Sequence, residues 1–156
     1  YVGSEKCGEC HTKAYEKWKE TPHSHATESL VHPPERSEIA RNFDAECLSC
    51  HVTGWEPQRF TPYLSGYQSL EKDKTPHLVG SGCENCHGPG SKHVAAEEGG
   101  ADARTVAALR KEMVLKLDVA EQTCIKCHDL ENSPDFHKKD AFKEVYWPQV
   151  EHKGKD

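Results

Sequence analysis

Apolar residues are scattered along this chain, and no run of them is long enough to make a strong buried strand or to cross a bilayer. Helical spacing is legible in two stretches. "YEKWKETPHSHATESL" predicts a helix ending near Thr21 and a second one with Thr21 as N-cap and Pro22 at its first position. In that second helix His23, Thr27 and Leu30 share a face, while His25 lies about 200° around from His23 and points outward if His23 points inward. In "RTVAALRKEMVLKL", Val106, Leu109, Met113 and Leu117 recur at helical intervals, with Met113 read as a packing residue. The rest reads as connection. "KHVAAEEGGADA" is a small, polar, Gly-containing bridge, "LVHPPERSE" is a Pro-rich link, and "EPQRFTPYLSGYQSLEKDKTPH" is an irregular loop with at most short strand pieces. The expected fold class is mainly α with extensive irregular loops and little regular β.

Composition adds a difficulty. The 156 residues suit one domain, 1–156, but only 35% are hydrophobic and the mean hydropathy is −0.86. A chain this polar needs something besides aliphatic packing to hold it together. Its eight cysteines, Cys7, Cys10, Cys47, Cys50, Cys83, Cys86, Cys124 and Cys127, all sit in Cys-x-x-Cys pairs. Disulfide frameworks join distant segments and do not require that uniform spacing. No signal peptide is visible, so for an exported protein, periplasmic or extracellular, this is the processed form.

Each pair is followed at once by histidine: "CGECH", "CLSCH", "CENCH" and "CIKCH", which supply His11, His51, His87 and His128. This is the attachment signal of haem c, repeated four times. Two residues between the cysteines let both sulfurs reach the vinyl positions on one edge of the porphyrin, and the adjacent imidazole then meets the iron from one face. Two structural zinc ribbons would use the eight thiols but leave four adjacent histidines unexplained. Four covalently attached haems c also answer the composition problem, because large flat macrocycles give a polar chain its core.

The sixth position on each iron needs a second ligand. One methionine is present, so histidine is the ligand available in quantity: His23, His25, His32, His77, His93, His137 and His152 remain, of which three or four are expected to be distal ligands. His93 follows the Gly88-Pro89-Gly90 break, and a tether that short reaches a different haem more easily than the far face of the one held by Cys83 and Cys86. His152 lies near the C-terminus, in a tail that an iron would fix.

At these residues a family comes into view. "KCGECHTKAYEKWKETPHSHATESL", "CLSCHVTGW" and above all "GSGCENCHGPGSKH" resemble the cytochrome c-554 family of tetrahaem c-type proteins, across all four motifs. The resemblance implies close-packed haem pairs, with His93 distal to the haem bound by His11, His23 paired with His128, and His152 with His87. It implies no protein ligand opposite His51. Here the chain departs from that pattern, since His77 and His25 are additional histidines and either is able to close the second iron.

The formal charge of −6 becomes about −10 with four oxidised haems and about −14 with four reduced ones, which steers positively charged redox partners and repels nucleic acid. The leading expectation is an exported electron-transfer protein, not an enzyme, serving redox proteins or an extracellular acceptor and lacking an integral membrane segment. Two alternatives differ in kind: a reductase of small nitrogen species at an open second haem, and, by similarity to OmcE-type extracellular filaments, a polymerising subunit with His25, His32 or His137 reaching a neighbouring copy.

Overall fold

The computed structural model describes residues 1–33 and 39–152. Most of "PPERSE" in the first Pro-rich link and the closing "KGKD" lie outside the described residues.

The first predicted helix pair resolves into three pieces. α1 (Ser4–Gly8) leads into α2 (Thr12–Lys19), a 3₁₀ turn follows over Pro22–His25, and α3 (Ala26–Val31) completes the run. Pro22 opens the 3₁₀ turn as expected, but Thr21 does not cap it with its side chain. Its hydroxyl donates to the Trp18 carbonyl at 2.7 Å and so closes α2 instead. Thr27 and Leu30 are buried and His25 is exposed, the facing that the helical spacing predicts.

α4 (Ala45–His51) starts at Asp44, whose carboxylate accepts the Glu46 N–H at 3.1 Å. The long loop beyond it contains one small antiparallel ribbon, β1 (Trp55–Glu56) against β2 (Thr61–Pro62), with Trp55 opposite Pro62. A 3₁₀ turn at Pro76–Leu78 returns the chain to α5 (Cys83–His87).

Two expectations need correction after α5. The polar bridge is helical at first: α6 (Ser91–Ala95) runs into a π turn at Ala96–Gly100 and breaks at Gly99, which sits at φ 97°. Alanine and glutamate favour helix there, and the Glu97 carboxylate accepts two hydrogen bonds from Arg110 at 2.7 and 2.8 Å, pinning the bridge to the next helix. That helix, α7 (Ala103–Glu112), stops before Met113, and α8 (Leu117–Ile125) begins separately, so Leu117 does not continue the Val106 stripe. The reason lies at Met113, whose carbonyl leaves the helix and accepts from His87 Nδ1 at 2.6 Å. The chain closes through a 3₁₀ turn at Pro134–His137, a π turn at Phe142–Tyr146 and α9 (Trp147–Val150).

Among the described residues, protein packing gathers mainly in two small clusters. Leu30, Leu48, Val52, Tyr67 and Leu78 form one around α3 and α4, and Ala120, Phe136 and Phe142 form the other around α8. The fold is mainly helical, with long irregular loops and little β structure.

Candidate haem centres

Each Cys-x-x-Cys-His stretch lies on a helical turn. α4 and α5 contain theirs whole, whereas α1 and α8 supply the first cysteine and a further turn supplies the rest. In those two, the histidine N–H reaches back to the first cysteine's carbonyl, His11 to Cys7 and His128 to Cys124, both at 2.9 Å. An i, i+4 relation puts the imidazole on the face of the first sulfur, as attachment to one macrocycle requires.

Several imidazoles are oriented by their other nitrogen. Nδ1 donates to a backbone carbonyl in His51 (Ala26, 2.7 Å), His87 (Met113, 2.6 Å) and His152 (Val150, 2.8 Å), and in His128 it meets the Ser133 hydroxyl at 2.9 Å. A carbonyl only accepts, so in the first three Nδ1 carries the proton and Nε2 keeps the lone pair that a metal needs. Burial holds His23, His87 and His128 below the ordinary histidine pKa, so these rings are neutral near pH 7.

Histidines far apart in sequence then meet in pairs. The ring centroids of His11 and His93 are 6.3 Å apart, those of His23 and His128 6.0 Å, and those of His87 and His152 5.7 Å. Two imidazoles on opposite faces of one metal, each with a bond of about 2.0 Å, would have centroids roughly 6 Å apart. His93 Nδ1 is buried without a hydrogen-bond partner, with Glu97 Oε1 3.7 Å away. Paired imidazoles beside paired thiols are the donor set that haem c takes. Among the described residues no three of His, Cys, Asp and Glu converge as a closed zinc site would need.

The motifs are also grouped. The Cys7 thiol shares a hydrogen bond with Cys83, which pulls the Cys83 thiol down to about 7, and Cys127 does the same to Cys50, also to about 7. The first motif thus adjoins the third, the second adjoins the fourth, and α5 packs against α8 to bring the third and fourth together.

The remaining predicted residues lie elsewhere. Among the described residues no imidazole stands opposite His51 as in the three pairs. The His25 side chain is 68% exposed and faces Glu28 at 3.4 Å, and His77 is exposed beside Gly3. His32 is exposed at the end of α3, and His137 Nε2 bonds the His128 carbonyl at 2.7 Å. Sequence reasoning missed the backbone acceptors at Ala26, Met113 and Val150, which no side-chain pattern encodes. It also gave no role to Glu84, although this residue stands inside the third motif.

Gly88 ends α5 with φ 82° and ψ 173°, a region that costs any other residue about 1–3 kcal/mol. A Cβ there would meet nothing within 4 Å, so the penalty of Gly88→Ala is purely conformational. The expected result is a holoprotein destabilised by about 1–3 kcal/mol in urea, with its thermal midpoint lowered.

Helical Cys-x-x-Cys-His turns with imidazoles gathered from distant segments define a multihaem c-type cytochrome, with haem c bound covalently. The family described as cytochrome c554 and c-prime matches residues 6–88, just over half of the chain, and the chain belongs to that family. It is 37% identical over 100 residues to cytochrome c-554 of Nitrosomonas europaea, a match covering 58% of this chain and 39% of that protein. The solved reduced state of cytochrome c554 from Nitrosomonas europaea is similar in structure, with a TM-score of 0.54 and 28% identity over 82% of this chain and 64% of that one. The chain therefore spans about two fifths of the curated relative and under two thirds of the solved one.

Proposed function

We propose that this chain is one tetrahaem unit, working outside the cytoplasm in the periplasm, that relays electrons between redox proteins without substrate chemistry of its own. The observation that carries the reading is the set of three imidazole pairs, each joining a motif histidine to a histidine from another segment. In this reading Cys7, Cys10, His11 and His93 hold the first haem. Cys83, Cys86, His87 and His152 hold the third, and Cys124, Cys127, His128 and His23 hold the fourth. Cys47, Cys50 and His51 hold the second.

Each haem c supplies a one-electron iron centre, at low potential where two histidines ligate it. The chain's part is orientation and electrostatics. Carbonyl-bonded Nδ1 atoms fix the ring planes of His51, His87 and His152 in advance, which keeps reorganisation small. The contacts of Cys7 with Cys83 and of Cys50 with Cys127, and the packing of α5 on α8, support the order first, third, fourth, second. The formal charge of −6 favours a positively charged redox partner. Among the described residues no helix is long and apolar enough to cross a membrane.

A pyridine haemochrome assay of the purified protein, normalised to chain concentration, is expected to give four haems. Any other count overturns the tetrahaem reading.

One observation favours a second reading at one centre. With no imidazole opposite His51, the second haem takes a small exogenous ligand such as nitric oxide and carries reductase chemistry. Paramagnetic resonance of resting protein at low concentration would then show one high-spin haem that nitric oxide converts. Four low-spin haems in that spectrum would put a protein ligand on the second iron and end the reductase reading.

A further inference from the structure

Among the described residues Glu84 is the one carboxylate in the buried set, only 3% exposed. Burying a carboxylate is costly unless it is fully hydrogen-bonded. Its partners here are all backbone amides. Val2 N–H donates to both oxygens at 3.1 and 3.0 Å, Gly3 N–H to Oε2 at 2.9 Å, and Gly90 N–H to Oε1 at 2.7 Å. Acceptance without donation is what an ionised carboxylate does. No ion pair to it forms among the described residues.

The three donors sit at informative places. Gly3 is the N-cap residue of α1, which leads to His11, and Gly90 is the N-cap residue of α6, which carries His93. One carboxylate in the third motif therefore holds both elements whose imidazoles face each other at 6.3 Å. It also follows Cys83 directly in the chain. Cys83 donates its N–H to Ser4 Oγ at 3.2 Å and shares a hydrogen bond with Cys7, so the same charge lies beside the attachment points of the first and third motifs.

We infer that Glu84 is the positioning residue of the first haem's axial pair and the fixed negative charge that depresses the potentials of the first and third haems together. The inference rests on the four-haem reading. An oxidised iron carries one more positive charge than a reduced one, so a buried anion favours the oxidised state of whatever centre it adjoins. In a poorly screened interior, one unit charge shifts a one-electron equilibrium of a nearby centre by roughly tenfold. A pair of neighbouring haems lowered together keeps its driving forces matched, as a relay needs.

The test is a potentiometric titration of holoprotein carrying Glu84→Gln, beside Glu84→Asp. Gln keeps the length but loses the charge and sets an NH₂ against backbone donors, whereas Asp keeps the charge on a shorter stem. The expected result is that E84Q raises two of the four midpoint potentials, each by roughly tenfold in its equilibrium, while E84D leaves all four near parental values. Equal shifts in both variants, shifts in all four haems, or none would overturn the charge role. Should E84Q not accumulate, redox-difference infrared spectra of parental protein and E84D decide. A carboxylate band that moves on reduction and differs between the two is expected, and its absence overturns the inference. A haemochrome count other than four in the parental protein signals failure of the underlying reading instead.

Discussion

His93→Ala is expected to convert one haem in four from low spin to high spin while every Cys-x-x-Cys-His motif in the chain stays intact. The affected haem is the one held by His11, 82 positions earlier, and not the one held by His87, six positions earlier. Electron paramagnetic resonance and the near-infrared ligand bands would read the spin change, and haem-resolved potentiometry would read a rise in that centre's potential. The reasons lie in geometry. The His11 and His93 rings are 6.3 Å apart, the span of two imidazoles on one metal, while the ring facing His87 belongs to His152 at 5.7 Å. The turn at Gly88 breaks α5 after His87 and aims α6 at a different centre. Loss of the ring also frees Glu97, whose oxygen lies 3.7 Å from His93 Nδ1, to stay with Arg110 alone. Four unchanged low-spin signals would remove His93 from the ligand set.

How much of this was legible beforehand depends on whether a feature is local. A helix stop at the Gly88-Pro89-Gly90 break and an outward His25 follow from spacing and backbone rules within a few residues, and the structure has both. The meeting of His93 with His11 was suggested by tether length and by family resemblance, because no periodicity links positions so far apart. Errors came where tertiary contacts outweighed propensity. The stripe through Met113 looked continuous, yet its carbonyl turns to His87 and splits the helix. The small, polar, Gly-containing bridge around His93 reads only as a connection, yet the Glu97 to Arg110 pairing holds its first half in helical turns. Glu84 went unread for another reason: it occupies a variable position of the attachment motif, where pattern matching assigns no meaning, and its three donors are backbone groups invisible to sequence.

The largest effect is expected from withholding the cofactor. Expressed without haem attachment, the chain should show no cooperative thermal transition, weak near-ultraviolet circular dichroism and strong binding of a hydrophobic dye. Among the described residues only ten hydrophobic side chains are buried, three of them alanine, and they divide between two separate clusters and isolated positions. Large apolar side chains such as Phe43 at 73%, Leu130 at 70% and Val114 at 60% remain exposed to solvent. Protein atoms alone therefore do not close a core that offsets the entropy of ordering so many loop residues. The imidazole pairs sharpen the point. Rings from distant segments, facing each other across roughly 6 Å, attract one another only weakly, and burial penalises protonation of His23, His87 and His128. A metal between them would tie segments 65 to 105 residues apart in chain position, as His23 with His128 illustrates at 6.0 Å. Restoring attachment should restore a single cooperative transition at high temperature. A haem-free chain that melts cooperatively would instead show that the two aliphatic and aromatic clusters suffice, and that the cofactors decorate a fold formed without them.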